Sequence, residues 1–257
     1  MTRNYDALLN RLRALSDPFR CQTTLGVVDG YAIERVTLSR DDRLPTALVI
    51  AGTHCNEPSG VEAAIAFLAD PPDGYLDHLR FDVIPCLNPW GYVHNTRHNR
   101  LNLDLNWSYS REDVPEIAAV RQLIAGRRFE AVVDLHEDWE SPGFYVYELR
   151  REEPRVGAEI VLRVAEVCPL NTNDVIEDLP ASNGVIHPDP NRDTTSRGAG
   201  IPIVLFREHT EHLITTEAPT ALPLDVRVRA QLIALHTVIE SHIPSSVTIR
   251  LPVPSPA

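Results

Sequence analysis

Two histidines and two glutamates in this chain have the residue types and local contexts of a hydrolytic zinc site: His54, Glu57, His136 and Glu217. Imidazole nitrogens and carboxylate oxygens are common zinc ligands, and a catalytic zinc keeps its fourth position free for water. Two histidines and one glutamate would meet that requirement, and the second glutamate could accept a proton from the water as a general base. These residues favour a zinc-dependent hydrolase that cleaves an amide bond.

The first two candidates lie in TALVIAGTHCNEPSGVEAAIAFLAD, residues 46 to 70. An apolar run breaks at Gly52 and a helical pattern begins after Pro58, so the segment predicts a strand, a turn and a helix. His54 and Glu57 are three residues apart on the turn, close enough to bind one ion. Pro58 suits the first helical position, which leaves Glu57 near the positive end of the helix. A surface turn is the alternative, because ten histidines can produce an HxxE pattern by chance.

His136 follows the apolar run of FEAVVDLHEDWE, residues 129 to 140. The run predicts a buried strand with His136 at its carboxyl end, where ligands collect in open α/β sheets. A histidine satisfied within the core is the alternative. Glu217 lies in IPIVLFREHTEHLITTEAPT, residues 201 to 220, where we predict two strands with Glu217 at the end of the second.

A strand end and a long turn dense in Asn, Arg and Asp are predicted in CLNPWGYVHNTRHNRLNLDLNWSY, residues 86 to 109. This composition favours a substrate-binding loop. His94 and His98 are four residues apart, but Pro89 and Gly91 precede them, so we expect a loop rather than a shared helix face.

Three other residues could also do chemistry. His209 and His212 form an HTEH pair that could bind a metal, but their extended segment offers no evident third ligand. Cys55 lies between two proposed ligands, yet the sequence places no base beside it, so we expect it to pack in the core. No GxSxG elbow, Walker loop or dinucleotide fingerprint is present, which leaves serine and nucleotide chemistry without support.

Over most of residues 45 to 242 the chain resembles the zinc carboxypeptidase family, in which an HxxE pair and a later histidine bind zinc and a glutamate on a late strand is the general base. These positions match His54, Glu57, His136 and Glu217, the last in TTEAP. The family pattern NPxG, RxN and DLN matches NPWG, residues 97 to 99 and residues 104 to 106. The resemblance therefore implies three further roles: Arg97 stabilises the oxyanion, Asp104 holds the outer nitrogen of His54, and Asn106 touches the substrate carboxylate.

The chain departs from that family at the carboxylate anchor. Family members carry an arginine directly after DLN, whereas this chain has Trp107, and no tyrosine occurs after Tyr147 to match the mobile tyrosine of digestive members. We expect Asn106, Arg100 and Trp107 to contact the substrate. The candidate replacements for the missing anchor are Arg100, Arg192, Arg197 and Arg207.

A second resemblance is to the succinylglutamate desuccinylase and aspartoacylase branch, which cleaves N-acyl amino acids with the same metal ligands and glutamate. The last residue of the HxxE pair, Glu57, and the later histidine, His136, are 136 − 57 = 79 residues apart, a compact spacing typical of this branch. After Glu217 the chain has 257 − 217 = 40 residues, too few for the β-rich C-terminal domain of that branch. An N-acyl amino acid deacylase is the alternative function, and a non-catalytic zinc- or peptide-binding protein is the alternative of another class.

The elements that must position these residues alternate along the chain. Helical patterns near residues 3–16, 58–69, 112–127, 154–168 and 223–242 alternate with strands, which predicts a three-layer α/β/α sandwich with a mixed central sheet, zinc-dependent exopeptidase-like. We expect one catalytic domain over residues 1–257. Residues 169 to 200 are polar, Pro-rich and aperiodic, so we predict a specificity loop over the zinc.

Composition limits the partners. The net charge of −12 and the lack of basic runs argue against nucleic acids and anionic membranes, which leaves a peptide or an N-acyl amino acid as substrate. Four widely spaced cysteines indicate reduced thiols rather than a disulfide framework. The N-terminal segment spaces its leucines helically among charges, unlike a signal peptide, so we expect a cytoplasmic protein.

Overall fold

The structure, a computed structural model, describes residues 3–72, 74–191, 198 and 200–244. The helices of this part of the chain are α1 (Tyr5–Ala14), α2 (Pro58–Ala69), α3 (Pro89–His94), α4 (Pro115–Ile124), α5 (Gly157–Val164), α6 (Ile201–Glu208) and α7 (Leu224–Glu240). The strands are β1 (Arg20–Val28), β2 (Tyr31–Leu38), β3 (Thr46–Ala51), β4 (Arg80–Ile84), β5 (Ala131–Asp138), β6 (Tyr145–Arg150), β7 (Val175–Ile176), β8 (Leu179–Ser182), β9 (Val185–Ile186) and β10 (His212–Pro219). Short 3-10 turns span Tyr75–Asp77 and Leu105–Trp107. All five predicted helices are confirmed, as α1, α2, α4, α5 and α7.

The strands form one mixed sheet, in the order β1-β2-β4-β3-β5-β10-β6-β9-β8-β7. Its four middle strands, β4, β3, β5 and β10, run parallel to one another. Their carboxyl ends therefore meet at one edge of the sheet. Strands β2 and β6 border this group and pair with it antiparallel, as predicted for a mixed sheet.

Helices cover both faces of the sheet. Apolar residues of α1, α2, α5 and α7 share one buried cluster with the sheet, and those of α4 and α6 share a second cluster on the opposite face. Strand β3 contributes to both, because Val49 belongs to the first cluster and Leu48 and Ile50 to the second. The predicted three-layer α/β/α sandwich is confirmed.

The first strand predicted within residues 201 to 220 is wrong, because IPIVLFRE forms helix α6. Its buried residues are Ile201, Leu205 and Phe206, and the spacing of four residues places Ile201 and Leu205 on one helix face, with Phe206 next to Leu205. A short apolar run does not by itself distinguish a buried strand from a buried helix, and here Pro202 in the first turn was the local sign of a helix. The second predicted strand is confirmed as β10.

The expectation of an aperiodic loop over residues 169 to 200 is also wrong for part of its length. Residues 175 to 186 form β7, β8 and β9, which extend the sheet beyond β6. The tight turn between β8 and β9 uses Asn183 and Gly184, both with positive φ, the conformation that two-residue hairpins of the common type require. Residues 192–197 and 199 lie outside the described residues, so the predicted position of a loop over the metal stays a prediction.

His236 on α7 should make the stability of the fold depend on pH. The ring is buried against Phe67, with its Nδ1 3.2 Å from the Tyr75 hydroxyl, and burial lowers the pKa of His236 from 6.5 to about 4. Because the unfolded chain binds the proton first, this contribution is complete above pH 6.5 and is lost as the pH falls towards 4. The loss in the free energy of unfolding is up to about 3 kcal/mol.

Urea unfolding of wild type and His236→Gln at pH 7, 6, 5 and 4 measures this contribution. The variant should lose less stability than wild type over that range. The matched control is His94→Gln at an exposed histidine of α3, which should keep the wild-type slope. Equal slopes for wild type and His236→Gln would contradict the prediction.

Candidate metal and active site

Three predicted ligands meet at the carboxyl ends of β3 and β5. His54 Nδ1 lies 2.9 Å from Glu57 Oε1 and 3.2 Å from His136 Nδ1, and His136 Nδ1 lies 3.0 Å from Glu57 Oε2. All three side chains are buried, and the histidines lower the pKa of Glu57 to about 2 although burial opposes this shift. Within the described ranges this is the one group of three or more His, Cys, Asp or Glu residues arranged to hold a metal ion. Two imidazole nitrogens and a carboxylate that converge on one point fit a divalent metal.

The positions of these ligands follow from close packing of α2 on β5. Pro58 occupies the first turn of α2, and Glu57 is its N-cap residue, as predicted. A side chain at Gly60 would lie 2.7 Å from the Leu135 carbonyl oxygen, so only glycine lets the helix approach the strand this closely. The backbone N–H of Glu137 donates to Glu57 Oε2 at 3.1 Å, which ties the turn to the strand that carries the histidine ligand.

Helix α7, which packs on the same face of the sheet as α2, also contacts this strand. The Glu137 carboxylate accepts a hydrogen bond from the backbone N–H of Ser59 at 2.6 Å and pairs with the guanidinium of Arg227. Gln231 donates its side-chain N–H to the carbonyl oxygen of His136 at 2.6 Å. Buried polar contacts of this kind hold β5 in place at the point where the ligand emerges.

Asp104 contacts the outer nitrogen of His54, in the place that the resemblance implied. Its Oδ1 lies 2.8 Å from His54 Nε2 and accepts from the backbone N–H of Asn106 at 3.0 Å. His54 and Arg97 hold the pKa of Asp104 below its usual range although burial opposes this shift. A carboxylate on the outer nitrogen fixes the imidazole tautomer and its orientation.

Arg97 extends from the polar segment onto the ligand group. Its Nη1 donates to Glu57 Oε1 at 3.1 Å, and its Nε donates to Asp104 Oδ2 at 3.1 Å. The side chain is 41% exposed, so the guanidinium lies at the surface of the site and is not enclosed by the core. From there it can donate to an oxygen atom that is bound near the ligands.

Glu217 lies beside the histidine ligand on the neighbouring strand. Parallel pairing puts Glu217 in register with His136, and antiparallel pairing puts it opposite Tyr145 on β6. Burial raises the pKa of Glu217 well above its usual value, and Glu57 and Asp138 add to the rise. A glutamate with a raised pKa next to a metal site is suited to accept and return a proton near neutral pH.

Two tyrosines beside Glu217 were not assigned to the site from the sequence. Tyr145 and Tyr147 contact each other edge to face, and burial together with the charge of Glu217 raises the pKa of both phenols. Ile176 and Ile186 of the sheet extension pack on Tyr145. Because side chains two residues apart in a strand share a face, the sequence places Tyr145 and Tyr147 on the same side of β6. It does not place them beside Glu217, because that depends on how β6 pairs with β10.

An acidic residue that contacts the outer nitrogen of His136 was also not assigned to the site from the sequence. Asp134 is 1% exposed, and its Oδ2 lies 3.2 Å from His136 Nε2, an ion-pair distance without the alignment of a hydrogen bond. Asp134 and Glu57 raise the pKa of His136 although burial opposes this shift. Its position two residues before His136 in a strand is the local signal that could have identified it.

The predicted substrate-contacting residues are only partly brought together. Asn106 follows Asp104 in the 3-10 turn, and its side-chain oxygen is buried without a hydrogen-bond donor in the described structure. Trp107 packs against the segment that leads into α6, since side-chain atoms added at Gly198 and Gly200 would meet its backbone oxygen and its ring. Arg100 pairs instead with Asp29 in the β1–β2 turn, with 3.6 Å between Nε and Oδ1.

The other candidate anchors and ligands have different surroundings. Arg207 donates to the Pro190 carbonyl oxygen, and Arg192 and Arg197 lie outside the described residues. His212 Nδ1 lies 2.8 Å from His242 Nε2, and His209 Nδ1 lies 2.9 Å from the Arg127 carbonyl oxygen, so the HTEH pair does not converge on one point.

Two further expectations concern His94 and Cys55. The loop expected at His94 is wrong, because Asn88 accepts from the Gly91 N–H at 2.8 Å and caps helix α3, which ends at His94. His94 stacks on Trp90. Cys55 is fully buried with its Sγ 3.0 Å from the Gly52 carbonyl oxygen, and burial raises the pKa of its thiol, which agrees with the expected packing role.

No described helix is long and apolar enough to cross a membrane. No family model matches the sequence, and no curated protein matches it. Solved structures are similar to this chain, and three of them are 23%, 21% and 18% identical to it. A provisionally assigned metallopeptidase from Shewanella denitrificans aligns with a TM-score of 0.79 and 23% identity, over 93% of this chain and 90% of its own. A second protein so assigned, from Shewanella amazonensis, aligns at 0.78 and 21%, over 93% and 92%.

A metallo-carboxypeptidase from Pseudomonas aeruginosa, solved with (2-guanidinoethylmercapto)succinic acid, aligns with a TM-score of 0.65 and 18% identity. That alignment covers 91% of this chain and 67% of the other. The two Shewanella proteins match this chain in length as well as in topology, whereas the carboxypeptidase has additional residues. This chain therefore has the fold of solved metallopeptidases and metallo-carboxypeptidases.

Proposed function

We propose that this protein is a zinc-dependent hydrolase of the metallocarboxypeptidase type, which cleaves an amide bond of a peptide or a small peptidic substrate. The observation that carries the proposal is the convergence of three groups at one edge of the sheet. These groups are the ligand atoms of His54, Glu57 and His136, the carboxylate of Glu217 in register beside them, and the guanidinium of Arg97 on Glu57.

The chemistry of the proposal divides among these residues. A zinc ion held by the three ligands would act as a Lewis acid and lower the pKa of water to about 7. Glu217 accepts the proton of the attacking water and returns it to the leaving nitrogen. Arg97 donates to the carbonyl oxygen of the substrate as negative charge develops there. Asp104 orients both Arg97 and His54, because its two oxygens contact one each.

A second candidate function is the removal of an acyl group from an N-acyl amino acid, which the compact spacing of 79 residues between Glu57 and His136 supports. A carboxypeptidase needs a cation for the terminal carboxylate of its substrate, and the position after DLN holds an indole that packs on Gly200. Arg100 and Arg207, two of the possible replacements, are paired elsewhere in the described structure. An N-acyl amino acid also carries a free carboxylate, so Trp107 is a departure from both resemblances and does not decide between the two functions.

The test of the proposed function uses protein loaded with zinc and protein freed of metal by a chelator. Each is incubated with free-carboxyl peptides, C-terminally blocked peptides and N-acyl amino acids, and products are identified by mass spectrometry. Zinc-dependent loss of C-terminal residues supports the carboxypeptidase, and zinc-dependent acyl release alone supports the deacylase. Product formation by the metal-free protein at the rate of the zinc-loaded protein would refute both.

Metal removal should also change thermal stability. A ligand that binds only the folded chain stabilises it by about 4 kcal/mol at a thousandfold excess over Kd, so zinc should raise the melting temperature of the metal-free protein by about 10 °C. Differential scanning calorimetry checks this expectation. The matched comparison is His54→Ala, which lacks one ligand and should show a much smaller rise.

A further inference from the structure

The carboxylate of Asp134 has an environment that differs from that of the other acidic groups at the site. It lies inside the sheet on β5, between Ile50 of β3 and Thr215 of β10, and is 1% exposed. Neither carboxylate oxygen accepts a hydrogen bond from any group in the described part of the chain. Its one ionic neighbour there is His136, at 3.2 Å from Nε2.

Such a carboxylate is destabilising unless a cation compensates its charge. No arginine of the described ranges lies within ion-pair distance of Asp134. Arg97, the arginine that contacts the metal ligands, pairs with Glu57 and Asp104 instead. The opposite nitrogen of the His136 ring, Nδ1, faces the other ligand atoms. The charge of Asp134 is therefore directed through this imidazole towards the metal position.

Asp104 provides the contrast on the second histidine. It also contacts an outer imidazole nitrogen, at 2.8 Å from His54 Nε2, but its side chain is 24% exposed and bonded to Arg97 and to a backbone N–H. Arginine and solvent therefore neutralise much of the Asp104 charge. Neither an arginine nor solvent neutralises the charge of Asp134 in the described structure. Its electrostatic effect on a bound cation is therefore less screened than that of Asp104.

We propose that Asp134 is a positioning residue for the metal, a buried carboxylate beside the outer nitrogen of His136 whose charge would be compensated by a cation held by His54, Glu57 and His136. This inference rests on the proposed metal site but not on the identity of the substrate. Carboxylates on the outer nitrogen of a ligand histidine typically contribute a factor of 10–100 to metal affinity. Asp134→Asn removes the charge with little change in shape and should weaken zinc binding by that factor.

The experiment measures zinc affinity rather than turnover. Metal-free wild type, Asp134→Asn and Asp134→Ser are titrated with zinc in competition with a chromophoric chelator, and the melting temperature of each metal-free protein is recorded. The second variant serves if the first does not fold. The matched control is Asp82→Asn, a buried aspartate of β4 that is bonded to Thr37 and Arg127. That variant should lower the melting temperature and keep the wild-type zinc affinity.

The outcomes separate this inference from the proposed function. A 10- to 100-fold weaker zinc affinity in the Asp134 variants, with wild-type affinity in Asp82→Asn, supports the role of Asp134. Affinity of the Asp134 variants within twofold of wild type overturns it and leaves the proposed hydrolase intact. Failure of the wild-type protein to bind zinc overturns the metal site and, with it, this role. Zinc binding without hydrolysis of any substrate would refute the hydrolase alone.

Discussion

Glu217→Gln should reduce kcat by about 10²- to 10⁴-fold on whichever substrate class the protein hydrolyses, the range that positioned general bases contribute. The glutamine keeps the shape of the side chain and a hydrogen-bonding oxygen but cannot take a proton. Because Glu217 is not one of the three ligands, zinc affinity should stay within a few fold of wild type. In free energy the loss corresponds to about 3–5 kcal/mol of transition-state stabilisation.

Steady-state kinetics at saturating zinc, together with zinc competition titrations, measures the effect of this substitution. The change should fall on kcat, with KM altered little, because a general base acts in the transition state. Glu211→Gln serves as the control, since Glu211 directly precedes β10, at the opposite end of the strand from Glu217, and pairs with Arg128 and Arg151. A Glu217→Gln variant with wild-type kcat on every hydrolysed substrate would exclude Glu217 as the base.

The ligand group could be predicted from the sequence because each member lies where local rules are strong. Gly52 and Pro58 bracket the turn that carries His54 and Glu57, and an apolar run ends close to His136. These signals depend on residues within one element and its turn. The fold class followed from the same alternation of strands and helices, which the order of the sheet then confirmed.

Asp134 was missed although it lies two residues before His136 on β5, where a local pattern could have identified it. Other parts of the site depend on contacts between distant segments. Tyr145 belongs to the site through the register of β6 with β10, which no local pattern specifies. Arg100 was expected near the substrate, but the β1–β2 turn supplies Asp29, a partner about 70 residues earlier in the chain. Helix α6 was predicted as a strand because its apolar residues satisfy both periods over so short a length.

Arg97 and the histidine ligand are linked through Asp104, which suggests how a substrate would alter the site. One Asp104 oxygen contacts His54 Nε2 and the other accepts from Arg97. If Nη1, which donates to Glu57 in this structure, became the donor to a substrate oxygen, Arg97 would still be tied to Asp104 through Nε. The guanidinium geometry allows such division of its donors between partners.

Arg97→Met should lower kcat by about 10²- to 10³-fold, or about 3–4 kcal/mol, the effect of removing one donor to a developing oxyanion. Methionine keeps the length of the apolar stem but donates no hydrogen bond. Zinc must be saturating in these assays, because the substitution also removes a contact to the ligand Glu57 and should weaken metal binding.

Two comparisons decide whether this loss reports on the transition state. Arg97→Lys restores a charge without the planar pair of donors, so it should recover only part of the rate. Arg111→Met removes an exposed arginine that pairs with Asp113 and should leave kcat unchanged. If Arg97→Met raised KM and left kcat at the wild-type value, Arg97 would bind the substrate in its ground state. The stabilisation of the oxyanion would then have to come from the bound metal ion alone.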